Sequence, residues 1–273
     1  MKDVLRAALR DAPAALQPRN VLREYLQARV LGVLQAEGAF VPLAFVGGTA
    51  LRFVYGLPRF SEDLDFSLER PQGGYEPERY ADALLGTFRL EGYDVAVRSR
   101  LETTIDRIDV RWSGLMYELG LSPHPDETFT VRVETDTRPP EGAGLEVTSV
   151  MRHRPLRIQH HDRASLMAGK VAALLTGDWV KGRDVYDLVW YLSDAGQPPP
   201  NAGLLRSALE QWGHGDVGER AERWASVVGE RLEAADWPAV QRDVSPLLER
   251  REDVALLDRE AVFALLARVA GKE

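Results

Sequence analysis

Residues 45–66 read FVGGTALRFVYGLPRFSEDLDF: an apolar run cut by Gly47-Gly48, a short helical pattern, then Asp63 and Asp65 one residue apart. Val41–Val46 is short and apolar enough for a buried strand, and the glycine pair ends it. Thr49 is positioned to cap a helix running to Tyr55. Glycines at such a junction let backbone N–H groups approach a phosphate without Cβ interference, and a helix N-terminus favours the anion. Asp63 and Asp65 lie two apart on an expected strand, so both carboxylates project from one face while Leu64 and Phe66 face the core. Two hard oxygen donors beside a phosphate cradle suit Mg²⁺. An isolated Asp-x-Asp is usually a solvated strand edge and an isolated Gly-Gly a turn. Their succession, with 13 residues between Thr49 and Asp63, is what points to a nucleotide site.

The rest of the chain bounds this reading. It has 273 residues, 45% apolar and 28% charged, which describes a globular protein large enough for one large domain or two. No apolar run approaches membrane-spanning length, and Met1-Lys-Asp-Val-Leu-Arg6 starts as an amphipathic helix, so no membrane partner and a cytoplasmic location are expected. The absence of cysteine excludes disulfides, zinc–thiolate sites and thiol catalysis. A net charge of −8 argues against a broad nucleic-acid-coating surface. It leaves room for a local basic site, and the densest stretch is 152–163, with Arg152, Arg154, Arg157, Arg163 and three histidines. That stretch reads either as a solvated loop or as a patch for RNA phosphates.

Helical periodicity covers 3–10 and 20–36. The strand, turn helix and Asp-x-Asp strand fill 42–68, and a helix follows near 77–91. Alternating, strand-like runs lie at 93–99, 104–112, 128–136, 145–151 and 155–159. From Asp162 onward nearly everything is helical, apart from a Gly-Gln-Pro-Pro-Pro-Asn linker at 196–201. The expected fold is therefore α/β (α+β), divided into residues 1–160 with the sheet and N-terminal helices and residues 161–273 as a helical half, with the site in the cleft between them.

The order apolar-Gly-Gly, helix, Asp-x-Asp resembles the signature of the polymerase-β-like nucleotidyltransferase superfamily. Gly47-Gly48-Thr49-Ala50-Leu51 with Arg59-x-Ser61-x-Asp63-Leu64-Asp65-Phe66 looks like the AbiEii/AbiGii-type (MenT-like) toxin family. The later Lys170-Val-Ala-Ala-Leu-Leu, seven residues, then Arg183-Asp184-Val185-Tyr186-Asp187-Leu188 matches that family's second half, so the resemblance spans roughly 43–192. It implies a polymerase-β-like sheet with flanking helices and transfer of a nucleoside monophosphate (NMP) from an NTP to an acceptor hydroxyl, with release of pyrophosphate. The implied acceptor is the 3′ end of a tRNA, whose modification would block translation. The implied partners are that tRNA, the NTP and a cognate antitoxin protein.

Two aspartates leave a two-metal centre short of ligands. Phe129-Thr-Val-Arg-Val-Glu-Thr-Asp136 alternates cleanly, with Arg132, Glu134 and Asp136 on its polar face. Glu134 stands where the superfamily carries a third acid; Asp109 is the rival, and a plain surface pair with Arg132 is the bland alternative. Lys170 falls on the apolar stripe of its helix with Leu166, Met167, Val171 and Leu174, so it must snorkel or aim its ammonium at an anion. The resemblance supplies the triphosphate as that anion. Asp184 leads the buried stripe of the next helix, where it serves the site or complements the helix dipole. Arg183 and Asp187 are spaced to pair with each other. The resemblance assigns site roles to Arg183 and Asp184 and leaves Asp187 structural.

Together these readings give a mechanism. Gly47, Gly48 and Thr49 hold phosphates; Ser61, on the face of the two aspartates, lines the pocket; Lys170 and Arg183 neutralise the triphosphate. Asp63, Asp65 and Glu134 bind two Mg²⁺ ions that activate the acceptor and stabilise the departing pyrophosphate. Three alternatives stay open: the same transfer onto an antibiotic or a protein, an Asp-x-Asp phosphatase, and a non-catalytic binding protein. The phosphatase reading needs an apolar strand directly before the first aspartate, where this chain has Arg59-Phe60-Ser61-Glu62.

Overall fold

The structure is a computed structural model that describes residues 2–13, 16–213 and 217–271. Its contacts divide the chain into two units. The first comprises Met1–Gly56, Phe60–Pro139 and Val147–His160; the second comprises Leu57–Arg59, Pro140–Glu146 and His161–Glu273.

The first unit is built on a seven-stranded mixed sheet. Its strands are β1 (Leu43–Val46), β2 (Leu64–Leu68), β3 (Val95–Arg100), β4 (Ile105–Ser113), β5 (Thr128–Asp136), β6 (Leu145–Arg152) and β7 (Arg154–His161). They lie in the order β3-β4-β5-β2-β1-β7-β6. The sheet core follows from period-two alternation. Ile108, Val110 and Trp112 on β4 and Phe129, Val131 and Val133 on β5 are buried, and the polar residues between them are not. The helices of this unit are α1 (Lys2–Asp11), α2 (Pro18–Ala36), α3 (Gly47–Tyr55), α4 (Pro77–Leu90) and the single turn α5 (Leu115–Glu118). Phe88 of α4 meets Trp112 edge-on with ring centroids 5.0 Å apart, so α4 covers the apolar face of β4. Each of these fully buried aromatics contributes about 1.5–3 kcal/mol. The opposite face of β4 and β5 carries Arg107, Asp109, Arg111, Arg132, Glu134 and Asp136.

The second unit is helical: α6 (Arg163–Thr176), α7 (Gly182–Leu192), α8 (Ala202–Gln211), α9 (Val217–Glu222), α10 (Trp224–Glu233), α11 (Trp237–Val244) and α12 (Arg259–Ala270). Short polar residues set several of the starts. Asp162, Asn201, Asp236 and Asp258 each accept a backbone N–H from three residues on, which satisfies a donor the first helical turn leaves open. The Pro-rich linker accordingly ends at Asn201, the cap of α8. Among the described residues no helix is long and apolar enough to cross a membrane.

The mixed α/β architecture and strand positions match the expectation, and three local readings need correction. Helix α3 begins at Gly47 with Val46 as its cap, so Thr49 sits inside the first turn rather than capping it. Strand β2 starts at Leu64, so Asp63 immediately precedes the strand. Residues 152–163 are not a loop: Arg154–His161 form β7, and His153 joins it to β6 with a left-handed φ of 58°.

Candidate functional site

The first unit gathers the Gly-Gly turn and the acids on the polar face of the central strands. Val46 pairs with Asp65 across β1 and β2, and Asp65 pairs in turn with Glu134 across the parallel β2 and β5. Direct cross-strand partners share a face, so Asp65 and Glu134 are side-by-side carboxylates. Asp109 stands one strand further out, opposite Arg132. Gly47 has φ +74°, and a Cβ built there would overlap Asp65 Oδ2 and come within 2.9 Å of its Cγ. Glycine is thus required twice at this position, for its left-handed backbone and for the closeness of the Asp65 carboxylate.

Asp63 is held from behind. The fully buried Thr49 donates its hydroxyl to the Asp63 carbonyl at 2.5 Å. Its side chain is therefore committed to the aspartate loop. From α2, the Gln27 amide donates to the carbonyls of Ser61 (3.0 Å) and Glu62 (3.1 Å), which fixes the chain just before Asp63. Burial raises the Asp63 carboxyl above the ordinary aspartate value; nearby Arg132 opposes this, while Glu134 and Glu62 add to it. The influence of Glu134 on Asp63 reflects their common location.

Arg132, read from the sequence as a surface partner of Glu134, and Arg107, which the sequence reading passed over, interleave with these acids. Arg107 Nη2 lies 2.7 Å from Glu134. Arg132 reaches Asp109 at 3.1 Å and both Asp63 and Glu134 at 3.8 Å. The signal for Arg107 was available in β4, where Arg107, Asp109 and Arg111 alternate with Ile108, Val110 and Trp112.

In the second unit the motif residues form a buried quartet. Lys170 Nζ sits 2.8 Å from Asp184 Oδ1 and 2.8 Å from Asp187 Oδ2. Arg59 grips Asp187 with two hydrogen bonds of 2.6 Å. Two cations meet two anions, with side-chain exposures of 1% for Arg59, 0% for Asp187 and 12% for Lys170. Burial opposes charge on Asp184, but the Lys170 ammonium outweighs it and holds the carboxyl below its usual range. In the structure the ammonium of Lys170 thus has two protein carboxylates beside it, and Asp187 pairs with both Arg59 and Lys170. Arg183 lies at the start of α7, where its backbone N–H donates to Asp243 at 3.3 Å. Gly182 before it admits the close approach of the Val240 carbonyl, which any Cβ would meet.

The basic stretch 152–163 has its charges largely committed inside the protein. Arg152 Nη2 and His153 Nε2 reach Glu24 at 3.1 Å and 2.9 Å, and Arg52 also bonds it. Burial would raise the Glu24 carboxyl, but these partners, His153 foremost, pull it down to about 2. Arg154 packs over Gly32, Arg163 stacks on Trp190 with its guanidinium 5.0 Å from the ring centroid, and His160 is fully buried. Only Arg157 of the four arginines is exposed. The stretch is therefore neither the solvated loop nor the open RNA patch.

Among the described residues no three carboxylate or imidazole groups converge as a ready-made metal cluster. The donors present are hard carboxylates on one sheet face beside a glycine turn. That set suits Mg²⁺, which takes one or two carboxylates and completes its shell with water and substrate phosphates.

A sheet with these acids on β2 and β5 and a Gly-Gly turn feeding α3 is the arrangement expected of a nucleotidyltransferase. In solved structures the same fold occurs in JHP933 from Helicobacter pylori, with TM-score 0.56, 20% identity and 94% of each chain covered. It occurs again in MenT4, a nucleotidyltransferase toxin from Mycobacterium tuberculosis H37Rv, with TM-score 0.55, 19% identity, and 98% of this chain and 89% of that one covered. Comparison with curated proteins gives no match. The family profile described as nucleotidyl transferase AbiEii toxin, type IV toxin–antitoxin system, matches residues 29–264, and the chain belongs to that family. It is a nucleotidyltransferase enzyme of the toxin–antitoxin class.

Proposed function

We propose that this enzyme transfers NMP from an NTP to the 3′-terminal hydroxyl of a tRNA, which stops translation until a cognate antitoxin intervenes. The observation that carries the reading is the row Gly47, Asp65, Glu134, in which a backbone turn without a side chain abuts one of two adjacent carboxylates. Backbone N–H groups of Gly47, Gly48 and Thr49, at the start of α3, attract the triphosphate. Asp63, Asp65 and Glu134 would hold Mg²⁺, and a bound ion supplies charge stabilisation to phosphoryl transfer. The Gly47 turn keeps Asp65 in register, and Thr49 together with Gln27 keeps Asp63 there. Arg107 and Arg132 restrain the acids and supply positive charge to a phosphoryl group, so catalysis is mainly positioning and electrostatics. Ser61 lines the approach to Asp63. Lys170 and Asp184 are positioning residues that fix α6 to α7.

Incubation of the protein with Mg²⁺, each labelled NTP in turn and total tRNA tests the reading. Label should enter tRNA with at least one NTP and should be lost in Asp63→Ala and Asp65→Ala. Label appearing only in protein, or equal transfer by either alanine variant, would overturn it.

A further inference from the structure

Among the described residues, three arginines on the polar face of the first unit's sheet form an ion pair with none of its acids. β3 is the sheet edge, and Arg98 and Arg100 on it stand opposite Asp109 and Arg107 of β4. Cross-strand partners share a face, so continuous rows can be read across the strands. One row runs Arg100, Arg107, Glu134, Asp65, and the next runs Arg98, Asp109, Arg132. Arg111 extends the same face of β4 by two residues, opposite Thr130. Among the described residues the side chains of Arg98, Arg100 and Arg111 form no ion pair or hydrogen bond. Arg107 keeps Glu134 as its partner, yet its side chain is 43% exposed.

Arg100 directly opposite Arg107 is a like-charge pair, which costs folding stability unless an anion intervenes. The aromatic residues of these strands, Trp112 and Phe129, are buried on the other face, so this one offers charge without a stacking platform. Such a face recognises phosphates rather than bases. From Asp65 to Arg100 is three strand spacings, roughly 14 Å. A net charge of −8 makes a local track of this kind the place where a polyanion can be admitted.

We propose that Arg98, Arg100, Arg107 and Arg111 form a track for the phosphodiester backbone of the RNA acceptor, leading its end across β3 and β4 to Asp65 and Glu134. The inference rests on the RNA-acceptor reading above and names the surface that receives the acceptor.

The test measures binding of a fluorescent single-stranded RNA to the full chain by anisotropy over a salt series. Wild type is compared with the R98Q/R100Q/R111Q variant and with R98K/R100K/R111K. The glutamine variant should bind at least tenfold more weakly, and its plot of log affinity against log salt should be shallower by about 2. The lysine variant should keep the wild-type slope, and melting temperature and NTP-induced stabilisation should match in all three. Glutamine-variant binding with unchanged affinity and slope, or no RNA binding by wild type, overturns the track. The two proposals fail separately. A wild type that binds RNA through these arginines but never labels it overturns the acceptor reading alone, and labelling of RNA by a glutamine variant that binds as wild type does overturns the track alone.

Discussion

Gly47→Ala isolates the chemistry of the turn from its backbone cost, because the chain contains its own control. Gly47 has φ +74° and Gly56, at the other end of α3, has φ +75°. An L-residue in the left-handed region costs about 1–2 kcal/mol, and the two alanine substitutions share that cost. They differ in what the new methyl meets. At Gly56 nothing lies within 4 Å, whereas at Gly47 the methyl overlaps the Asp65 carboxylate. Gly56→Ala should therefore lower the melting temperature by about 2–4 °C per kcal/mol and leave the transfer rate per folded molecule unchanged. Gly47→Ala should destabilise at least as much and also displace Asp65. A displacement near 1 Å at a reacting centre costs on the order of 10²-fold in rate. The assay is NMP transfer at saturating Mg·NTP, normalised to the folded fraction from a melt run in parallel. Equal specific activity in the two variants would refute the argument, since the left-handed backbone would then be all that Gly47 provides.

Lys170→Ala strands Asp184 in the interior and leaves Asp187 with Arg59 alone, a loss of about 3–5 kcal/mol, which a thermal melt would report. A variant that melts like wild type but loses NTP-induced stabilisation would put the ammonium on the nucleotide instead. Glu24 links stability to acid. Its folded carboxyl titrates at about 2 against 4.5 unfolded, so its contribution is complete above pH 4.5 and is lost as pH falls toward 2. That shift is worth about 3 kcal/mol, and denaturant melts of Glu24→Gln should show a flatter acid limb than wild type; parallel limbs would remove Glu24 as its cause. Thr49→Val should cost about 1–2 kcal/mol and slow transfer by loosening Asp63, with Thr49→Ser restoring both. A valine variant equal to wild type in melt and rate would show the Asp63 carbonyl to be adequately satisfied without the hydroxyl.

Much of this was legible in the sequence because it depends on short-range patterning. Alternation marked β4 and β5, and the glycine pair marked the end of β1. Burial of the charged residues at long separation was not legible. That Arg59 spends its charge on Asp187, 128 positions away, or that Arg152 and His153 neutralise Glu24, follows from tertiary packing to which local periodicity is blind. The basic density of 152–163 was real, but density of charge says nothing of whether carboxylates face it. Glu134 shows the middle case. Its polar face was readable from alternation, whereas its place beside Asp65 needed the parallel register of two strands about 70 residues apart.

The second unit takes Arg59 from a three-residue piece, Leu57–Arg59, that lies inside the stretch of chain otherwise belonging to the first. The unit is therefore not a contiguous module. A fragment begun at His161, the natural place to cut for expression or domain shuffling, would carry Asp184, Asp187 and Lys170 without the guanidinium that caps Asp187. It would hold one more buried negative charge than it can match. Recombination between relatives at that boundary faces the same condition, because an incoming helical part must find its arginine in the host's turn between α3 and β2. Gene fragments that respect the fold have to travel with residues 57–59, which ties the inheritance of the helical part to that of the Gly-Gly and Asp-x-Asp segment.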